Sequence, residues 1–535
     1  MALAAAPAPV RRRASWPVVG VLVAVLVAGP LLVLPASFLT DPGALGEIAD
    51  SLLPEALKAS LVLAGGVGAG TLLLGGSLAA LVSFYDFPGR RWLDWALVLP
   101  LAMPGYVFTL FVLGLDVPGV RSPLGAVCVF TLVLYPYVYL LARSAFLSQS
   151  RTLFEAARGL GMSRGRAIVK VGLPLARPAI FGGVALALME ALADFGTVNL
   201  LGVRTFTDAI YRVWFLAFDR EAAMQLATML VSITLLLLLL ERLARGRARY
   251  EQDASGGHVV APVRLRGPAA FAAVVLPLLL VGVVVLAPLA QLVAWSITSV
   301  QDGLLTPEFG TATRNSLLLA GMSAVLVTAT AVTLAYGVRA SRSPTAGAAA
   351  RVATIGYGLP GSVVAVAVIV PLAWLDHRIG DAAGSLFGVD LGLVLTGTVI
   401  GLFCAYLVRF LALAWAAVDS SLLRIPRDLD EAARGLGADR IDVLARVHVP
   451  LMRPGLLTAG LLVFTEVMKE LPATLLLRPL GGDTLAVAVW QATSESLFET
   501  AALPALLIVV AGLLPVAAMI RLSARRGAEL EAVPA

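Results

Sequence analysis

A polar segment of twenty residues occurs twice in a chain that is otherwise largely apolar. Residues 155–174 read EAARGLGMSRGRAIVKVGLP, and residues 431–450 read EAARGLGADRIDVLARVHVP. The two copies share their first seven letters, and their first residues are 276 positions apart. A repeat of this length predicts a duplicated chain in which each half presents one copy of the segment.

The composition explains why these segments stand out. Of the 535 residues, 59% are hydrophobic and 14% are charged, whereas soluble proteins carry about 25% charged residues. A membrane-spanning helix needs about 20 apolar residues. Apolar runs cover residues 16–39, 57–84, 93–114, 123–147, 176–200, 222–241, 269–296, 314–337, 352–375, 390–418, 452–476 and 500–520. We predict an all-α polytopic membrane protein with about 12 transmembrane helices, in two parallel six-helix repeats.

The distribution of basic residues predicts the orientation of these helices. Arginines occupy positions 11–13, and alternate loops beyond them are also basic, including residues 151–177 and 424–453. If those loops are cytoplasmic, so are both termini and both repeated segments. The start of the chain also resembles a signal peptide. We predict a retained helix instead, because the apolar run is too long and has a counterpart at 269–296. The net charge of +6 is explained by these loops, and no nucleic-acid partner is predicted.

Weaker repeats predict where the halves begin and end. Ala59 and Asn315 open similar hexapeptides, and the helix-breaking Met103-Pro-Gly matches Leu359-Pro-Gly, both at an offset of 256. The offset then grows to 276, which predicts about 20 extra residues near 376–390. The predicted domains are a first unit at 1–243 with its polar loop at 150–178, a cytoplasmic linker at 244–267, and a second unit at 268–535 with its polar loop at 424–454.

Each polar segment carries the signals of two short helices joined by a turn. Thr152 and Asp428 each precede a glutamate by three positions, which predicts capping boxes that use Glu155 and Glu431. A glycine then ends each first helix, at Gly161 and Gly437. The caps predicted for the second helices are Ser163 and Asp439. The predicted product is a basic helix–turn–helix at the membrane surface, which serves either as a docking surface or as an ordinary cytoplasmic hairpin.

These segments closely resemble the EAA loops of the permease subunits of ATP-binding-cassette importers. The pattern is matched in the first copy by Glu155, Ala156, Ala157, Gly161, Val171, Leu173 and Pro174. It is matched in the second copy by Glu431, Ala432, Ala433, Gly437, Val447 and Pro450, with Val449 in place of leucine. The resemblance implies a type I importer permease fold whose loops couple to an ATPase. It implies as partners two copies of a cytoplasmic ATPase subunit that carries ATP and Mg²⁺, and a periplasmic or lipid-anchored substrate-binding protein. The implied location is the bacterial cytoplasmic membrane.

The segments after each loop resemble those of ferric-iron importer permeases. They read EALADFGTV from Glu190 and EVMKELPAT from Glu466. Carboxylates at membrane depth are costly and usually face a cavity or pair with another charge. Glu190, Asp194, Glu466 and Glu470 therefore form a candidate translocation pathway, with Lys469 beside the second pair. The alternatives are an ion-pair network that locks helices together, or a position of these residues near the external surface. The resemblance implies ferric iron as the cargo. Thiamine and polyamine importers have similar loops, so thiamine, a polyamine or another small solute is the alternative.

Several other functions are disfavoured by the sequence. No G-x-x-x-x-G-K-[ST] motif occurs, so the chain is not expected to bind ATP or any other cofactor itself. The glycines of residues 65–70 are predicted to pack helices instead. Three histidines in separate loops and two cysteines, predicted to be buried, give no metal or catalytic spacing. An ion-driven secondary transporter with two six-helix halves remains the rival hypothesis. A membrane-anchored enzyme would need a catalytic motif, and none is found.

Overall fold

The computed structural model of the chain describes residues 16–46, 50, 52–149, 151–245, 262–304, 307–341, 343–389 and 392–531. Nearly all of these residues are helical. The α-helices of the first half are α1 (Trp16–Ala28), α2 (Val33–Thr40), α3 (Leu52–Phe84), α4 (Arg90–Ala96), α5 (Gly105–Gly114), α6 (Pro123–Leu147), α7 (Arg151–Gly159), α8 (Arg164–Ala167), α9 (Leu173–Ala193), α10 (Gly196–Leu200), α11 (Phe206–Phe215) and α12 (Arg220–Arg245).

The second half repeats this order. Its α-helices are α13 (Gly267–Val281), α14 (Ala287–Gln301), α15 (Pro307–Ser341), α16 (Pro344–Ala353), α17 (Gly361–Phe387), α18 (Val399–Leu423), α19 (Asp428–Gly435), α20 (Arg440–Asp442), α21 (Val449–Leu451), α22 (Arg453–Met468), α23 (Pro472–Leu477), α24 (Leu485–Ser494) and α25 (Phe498–Glu531). The short strands β1 (Tyr85–Asp86) and β2 (Val263–Arg264) pair in parallel and were not predicted from the sequence.

The number of membrane spans agrees with the prediction. In the described part of the chain, 10 helices are long and apolar enough to cross a membrane, or up to 12 if each of two bent pairs is one span. One bent pair is Arg90–Ala102 with Gly105–Gly114, at 89°, so the helix breaks at the Pro-Gly step after Met103. In the second half, α17 likewise starts directly after Pro360. The predicted all-α polytopic fold is confirmed.

The chain divides into two compact units that do not coincide with the sequence halves. Of the described residues, those within 1–30, 323–357 and 406–463 form one unit, and those within 31–322, 358–405 and 464–535 form the other. In the smaller unit, α1 packs on α16, and the ring of Trp16 meets Tyr336 edge-on at 5.1 Å. In the larger unit, Phe206, Ile210 and Val363 belong to one core formed by α2, α3, α11, α12 and α17.

Small residues bring α3 and α6 close together, as the glycines at 65–70 predict. A Cβ built on Gly66 would lie 2.6 Å from the Val127 side chain, and one on Gly70 would collide with Thr131. Farther along α3, a Cβ on Gly75 would lie 2.6 Å from the carbonyl oxygen of Tyr135. Any larger side chain at these positions would push the two helices apart.

The extra residues of the second half extend a helix. The first-half helix α5 has 10 residues, whereas its counterpart α17 has 27 and ends at Phe387. The loop beyond α17 is fastened back to it by Asp376, whose buried carboxylate accepts backbone N–H groups of Val394, Leu395 and Thr396 at 2.7–3.0 Å. The predicted insertion near 376–390 is therefore mostly helix and only partly loop.

The surface of the larger unit has the apolar character of a lipid-facing wall. Leu61, Leu73 and Leu124 are all exposed on spanning helices, which is stable only where the surrounding medium is hydrocarbon. The cysteines were predicted to be buried, and this was wrong: Cys128 is exposed and Cys404 is partly exposed. A thiol is only weakly polar, so its exposure on an apolar surface costs little.

Two predictions concern residues outside the described ranges. The arginines at 11–13 and most of the linker at 244–267 fall there. The predicted domain boundaries therefore remain predictions. The apolar run predicted after the arginines corresponds to one spanning helix, Trp16–Thr40.

Candidate coupling loops and membrane carboxylates

The two EAA loops have the same backbone. The helices α7 and α19 end before Gly161 and Gly437, which have φ of +80° and +91°. In the first loop the N–H of Met162 donates to the carbonyl of Ala157, and in the second the N–H of Ala438 donates to Ala433, both at 3.1 Å. This is the hydrogen bond of a helix closed by a left-handed residue. The predicted glycine stops are confirmed.

The second arm of each loop also has a common pattern. Asp439 caps α20 by accepting the N–H of Asp442 at 2.7 Å, as predicted. Beyond α8 and α20, both loops pass through a π-helical turn, at Ile168–Gly172 and at Val443–His448. Each loop is therefore the helix–turn–helix that the sequence predicts.

The cap residue predicted for the second loop, Asp428, does not occupy the cap position. Helix α19 begins after Arg427, which makes no side-chain cap hydrogen bond, and Asp428 is already inside the helix. Asp428, Asp430 and Glu431 all lie in the first turn, where negative charge favours the helix dipole. The prediction for Thr152 concerns a side chain outside those that the structure describes.

The outward face of the two loops is the same. Leu160 and Leu436, the residues before the glycines, are 81% and 90% exposed. The glutamates and the alanines next to them are also exposed, at Glu155, Ala156, Glu431 and Ala432. Ala157 and Ala433 instead turn inward, to a buried and a partly exposed position. The two loops therefore expose the same residues at corresponding positions.

The inward face of the second loop is held by a nearly buried ion pair. Arg339, near the end of α15, donates through Nε and Nη2 to the two carboxylate oxygens of Asp430, both at 2.9 Å. The side chains are only 9% and 16% exposed. The same guanidinium donates to the carbonyls of Leu422, Ile425 and Pro426 at 2.8–3.2 Å. Arg339 therefore joins the end of α18, the start of the loop and α15.

Two further residues, Tyr336 and His448, join Arg339 and Asp430 in what we call the ionic anchor of the second loop. Tyr336 donates its hydroxyl to the carbonyl of Arg440 at 2.6 Å, which fastens the second arm of the loop. His448 is fully buried, and its Nε2 lies 2.8 Å from the carboxylate of Asp430, so the proton of this bond lies on Nε2. Burial alone would raise the pKa of the Asp430 carboxyl, but hydrogen bonds from Arg339 and His448 outweigh burial and lower that pKa below its usual value.

In the first loop, aromatic packing occupies the position that the ion pair occupies in the second loop. At the 276 offset, Phe154 corresponds to Asp430, and Gly172 corresponds to His448. The ring of Phe84, at the end of α3, lies 5.6 Å from that of Phe154 and 5.1 Å from that of Phe146. A Cβ on Gly172 would lie 3.0 Å from the Phe154 ring, so a side chain there would crowd the cluster. This first loop is anchored by the burial of aromatic rings.

The four membrane carboxylates have distinct surroundings in the larger unit. Asp194 comes directly after α9, and its carboxylate accepts the N–H of Thr197 at 2.6 Å. Glu470 lies just beyond α22, is buried, and accepts the N–H of Ala473 at 2.9 Å. These two residues therefore cap the next short helices. Glu466 pairs with Lys469 at 2.8 Å, and both of these side chains are partly exposed. Glu190 is also partly exposed.

The helix break at Pro104-Gly105 lies directly against the first of these carboxylates. A Cβ on Gly105 would lie 2.6 Å from the Thr197 hydroxyl and 3.4 Å from the Asp194 carboxylate. The next residue, Tyr106, is buried and donates to the carbonyl of Lys469 at 3.4 Å. Both Asp194 and Glu470 lie within electrostatic range of its hydroxyl. The sequence predicted the break and the carboxylates separately, but nothing in it indicated Tyr106.

A second set of residues missed by the sequence joins corresponding segments of the two halves. Tyr211 of α11 and Trp490 of α24 meet nearly edge-on at 6.1 Å, and Phe195 packs against both rings. Asn199 links this group to a buried charge, since it accepts from the Trp490 indole at 3.2 Å and donates to Asp208 at 2.8 Å. These contacts close the space between α10, α11 and α24 within the larger unit.

No resident metal centre is indicated by the described side chains. Among them, no three His, Cys, Asp or Glu residues converge closely enough to hold a metal ion. Asp194 and Glu470 each already accept a backbone N–H group, so their carboxylate oxygens are partly engaged.

The family of this chain is identified from its whole sequence. Residues 72–249 and 328–527 both match the family described as the inner membrane component of binding-protein-dependent transport systems. The chain belongs to this family. The double match also confirms the duplication, with one EAA loop of this binding-protein-dependent permease in each matched region.

Individual relatives of the permease differ in the cargo that their names state. A ferric-iron transport system permease protein, FbpB 2 from Haemophilus influenzae, is 27% identical over 87% of this chain and 89% of its own length. A molybdate/tungstate transport system permease protein from Thermococcus kodakarensis is 27% identical over 37% of this chain and 81% of its own length. The sulfate transport system permease protein of Escherichia coli is 29% identical over 30% of this chain and 65% of its own length.

Proposed function

We propose that this permease is the pore of an ATP-driven importer in a bacterial cytoplasmic membrane, with both termini cytoplasmic. A periplasmic or lipid-anchored binding protein delivers the cargo, and a separate ATPase subunit binds and hydrolyses ATP with Mg²⁺. The observation that carries the proposal is the identical outward face of the EAA loops, with Leu160 and Leu436 at their tips. Two equal surfaces are suited to two copies of one partner.

The loops have the mechanical properties that such coupling needs. Each is a compact unit closed by a glycine and anchored on its inward side, by Phe154 in one copy and Asp430 in the other. When ATP closes the two ATPase subunits, a rigid loop moves with the subunit on which it docks. That displacement passes into the spanning helices and switches the pore, and hydrolysis resets it. This chain itself performs no covalent chemistry in the cycle.

The proposed cargo is ferric iron. One relative that is similar over most of both chains is an iron permease by name. Within the larger unit, Glu190, Asp194, Glu466 and Glu470 would attract a multiply charged cation and repel an oxyanion such as sulfate or molybdate. Thiamine or a polyamine, which also carry positive charge, are the alternative cargoes.

The energy source is tested by reconstitution. The chain is purified with its partner ATPase and binding protein and placed in proteoliposomes, and uptake of ⁵⁵Fe(III) is measured with the binding protein outside. We expect uptake to require ATP in the compartment that holds the ATPase, and to stop with an ATPase variant that cannot hydrolyse it. Uptake that persists without the ATPase, driven by an ion gradient, would identify a secondary transporter instead.

The cargo is tested by substitution of the two carboxylates that do not cap helices. Glu190→Gln and Glu466→Gln should each lower ⁵⁵Fe(III) uptake about tenfold or more, the size expected when one charge interaction of roughly 1.4 kcal/mol is lost. Retention of the ATPase should be unchanged. The matched control is Glu55→Gln, since Glu55 forms an exposed pair with Arg204. Wild-type binding and uptake of thiamine or a polyamine in place of iron would refute the cargo assignment.

A further inference from the structure

The ionic anchor of the second EAA loop reaches both of its arms from one helix. Arg339 contacts Asp430 in the first arm, and Tyr336 contacts the carbonyl of Arg440 in the second. These two residues are three apart on α15, so they lie on one face of the helix. His448, at the end of the π-helical turn, closes the group against Asp430 and packs edge-on on Tyr336 at 5.4 Å.

These contacts restrain the loop more strongly than a single surface hydrogen bond would. A single hydrogen bond would let the loop pivot, but a bidentate pair at 2.9 Å through two nitrogens fixes both distance and direction. The same guanidinium also donates to the carbonyls of Leu422 and Ile425 at the end of α18. A displacement of the loop therefore pulls on α15 and α18 together.

We propose that Arg339 and Asp430 are positioning residues for energy coupling, which transmit movement of the second EAA loop into α15 and α18. This role rests on the proposed function, because it needs an ATPase that moves the loop. Neither residue touches the cargo or ATP. Both lie on the inward face, away from the exposed Leu436 on which the ATPase would dock.

The test uses the full chain with its ATPase, in nanodiscs for amide exchange and in proteoliposomes with the binding protein for uptake, and compares Arg339→Gln and Asp430→Asn with the wild type. Asp430→Asn keeps the size of the side chain, so it tests the proposal even if Arg339→Gln is poorly folded. The matched control is Arg446→Gln. Arg446 lies in the same loop and also pairs with an aspartate, Asp442, but its side chain is 82% exposed.

Two readouts separate positioning from general stability. Amide exchange in α19 should be at least tenfold faster in both anchor variants and unchanged in Arg446→Gln. Uptake of ⁵⁵Fe(III) per ATP hydrolysed should fall at least fivefold, while the amount of bound ATPase stays at the wild-type level. Restoration of most of that ratio by Arg339→Lys, which keeps one charged donor, would further support positioning.

The possible failures are distinguishable. Unchanged exchange in α19 would show that the anchor does not hold the loop. Faster exchange with a wild-type ratio of uptake to hydrolysis would show that the anchor does not transmit movement, and either result overturns the inference. If the wild-type chain retains no ATPase at all, the proposed function fails and the coupling role fails with it.

Discussion

The two EAA loops share their outward residues and differ in their inward ones. EAARGLG is identical in both copies, and Leu160 and Leu436 are similarly exposed. On the inward face, Phe154 packs on Phe84 in the first loop, whereas Asp430 pairs with Arg339 in the second. Identity on one side and divergence on the other is expected if the outward faces meet copies of one partner and the inward faces meet different helices.

The difference shows that one mechanical role can be served by two kinds of interaction. Burial of an aromatic ring has no directional requirement and no dependence on ionisation. A bidentate ion pair fixes direction but leaves a costly unpaired charge if one partner is lost. The two anchors should therefore hold equally well under neutral conditions and respond differently to substitution and to pH.

The largest effect is expected when the ionic anchor loses one partner. Arg339→Met leaves the nearly buried Asp430 without its ion-pair partner, which costs about 3–5 kcal/mol. The opening free energy of α19, measured by native-state amide exchange, should fall by that amount while α7 is unaffected. The triple variant Arg339→Met/Asp430→Phe/His448→Gly imitates the first loop and should recover most of the loss. No recovery in a folded triple variant would contradict the equivalence of the anchors.

A somewhat smaller effect is expected in the first loop. Phe154 is buried, and Phe154→Ala removes its ring contact with Phe84. The loss should be about 3 kcal/mol, the lower end for a buried phenylalanine, because a short surface helix can settle into the space. The opening free energy of α7, measured by native-state amide exchange, should fall by this amount. An equal change in α19 would show that the two loops do not open independently.

Low pH should distinguish the two anchors by a smaller effect than these substitutions. Because the pKa of Asp430 is lowered in the folded chain, its ion pair stabilises the second loop at pH values above the unfolded aspartate pKa of about 3.9. That contribution is lost as pH falls through the lower folded pKa. Protection factors of α19 should therefore stay constant from pH 7 to 5 and fall only below about pH 4. Those of α7 near Phe154 should not change with the ionisation of Asp430. A loss of α19 protection near pH 6 would show that another group controls the loop.

The smallest effect should be the same in both copies. Gly161→Ala and Gly437→Ala place a Cβ on residues with φ of +80° and +91°, which costs about 1–2 kcal/mol although the space around each is open. The opening free energies of α7 and α19 should fall by equal amounts. A large difference between the two variants would show that the loops do not share one backbone design.

The features predicted from the sequence were those that local chemistry determines. Apolar runs indicated the spans, the Pro-Gly step after Met103 indicated a break, and Gly161 and Gly437 indicated the ends of the loop helices. The cap that was wrongly predicted at Asp428 shows the limit of such reasoning. Asp430 is held by Arg339, which is 91 positions away in the chain, and no local pattern records that contact.

The candidate pathway shows the same limit. The sequence grouped Glu190 and Asp194 in one candidate pathway, but their different surroundings depend on the course of the backbone beyond α9. Asp194 caps α10 because the chain turns there, and its approach to Gly105 and Tyr106 is a tertiary contact. Whether these carboxylates contact the cargo stays a prediction that uptake by the Glu190→Gln and Glu466→Gln variants will decide.

If the identical outward faces bind the same partner, native mass spectrometry of the purified complex should detect one permease chain with two copies of the ATPase subunit. Leu160→Asp or Leu436→Asp should each reduce this number to one, because a charge replaces the exposed apolar contact of one loop. A wild-type complex with a single ATPase copy, or with none, would contradict the claim.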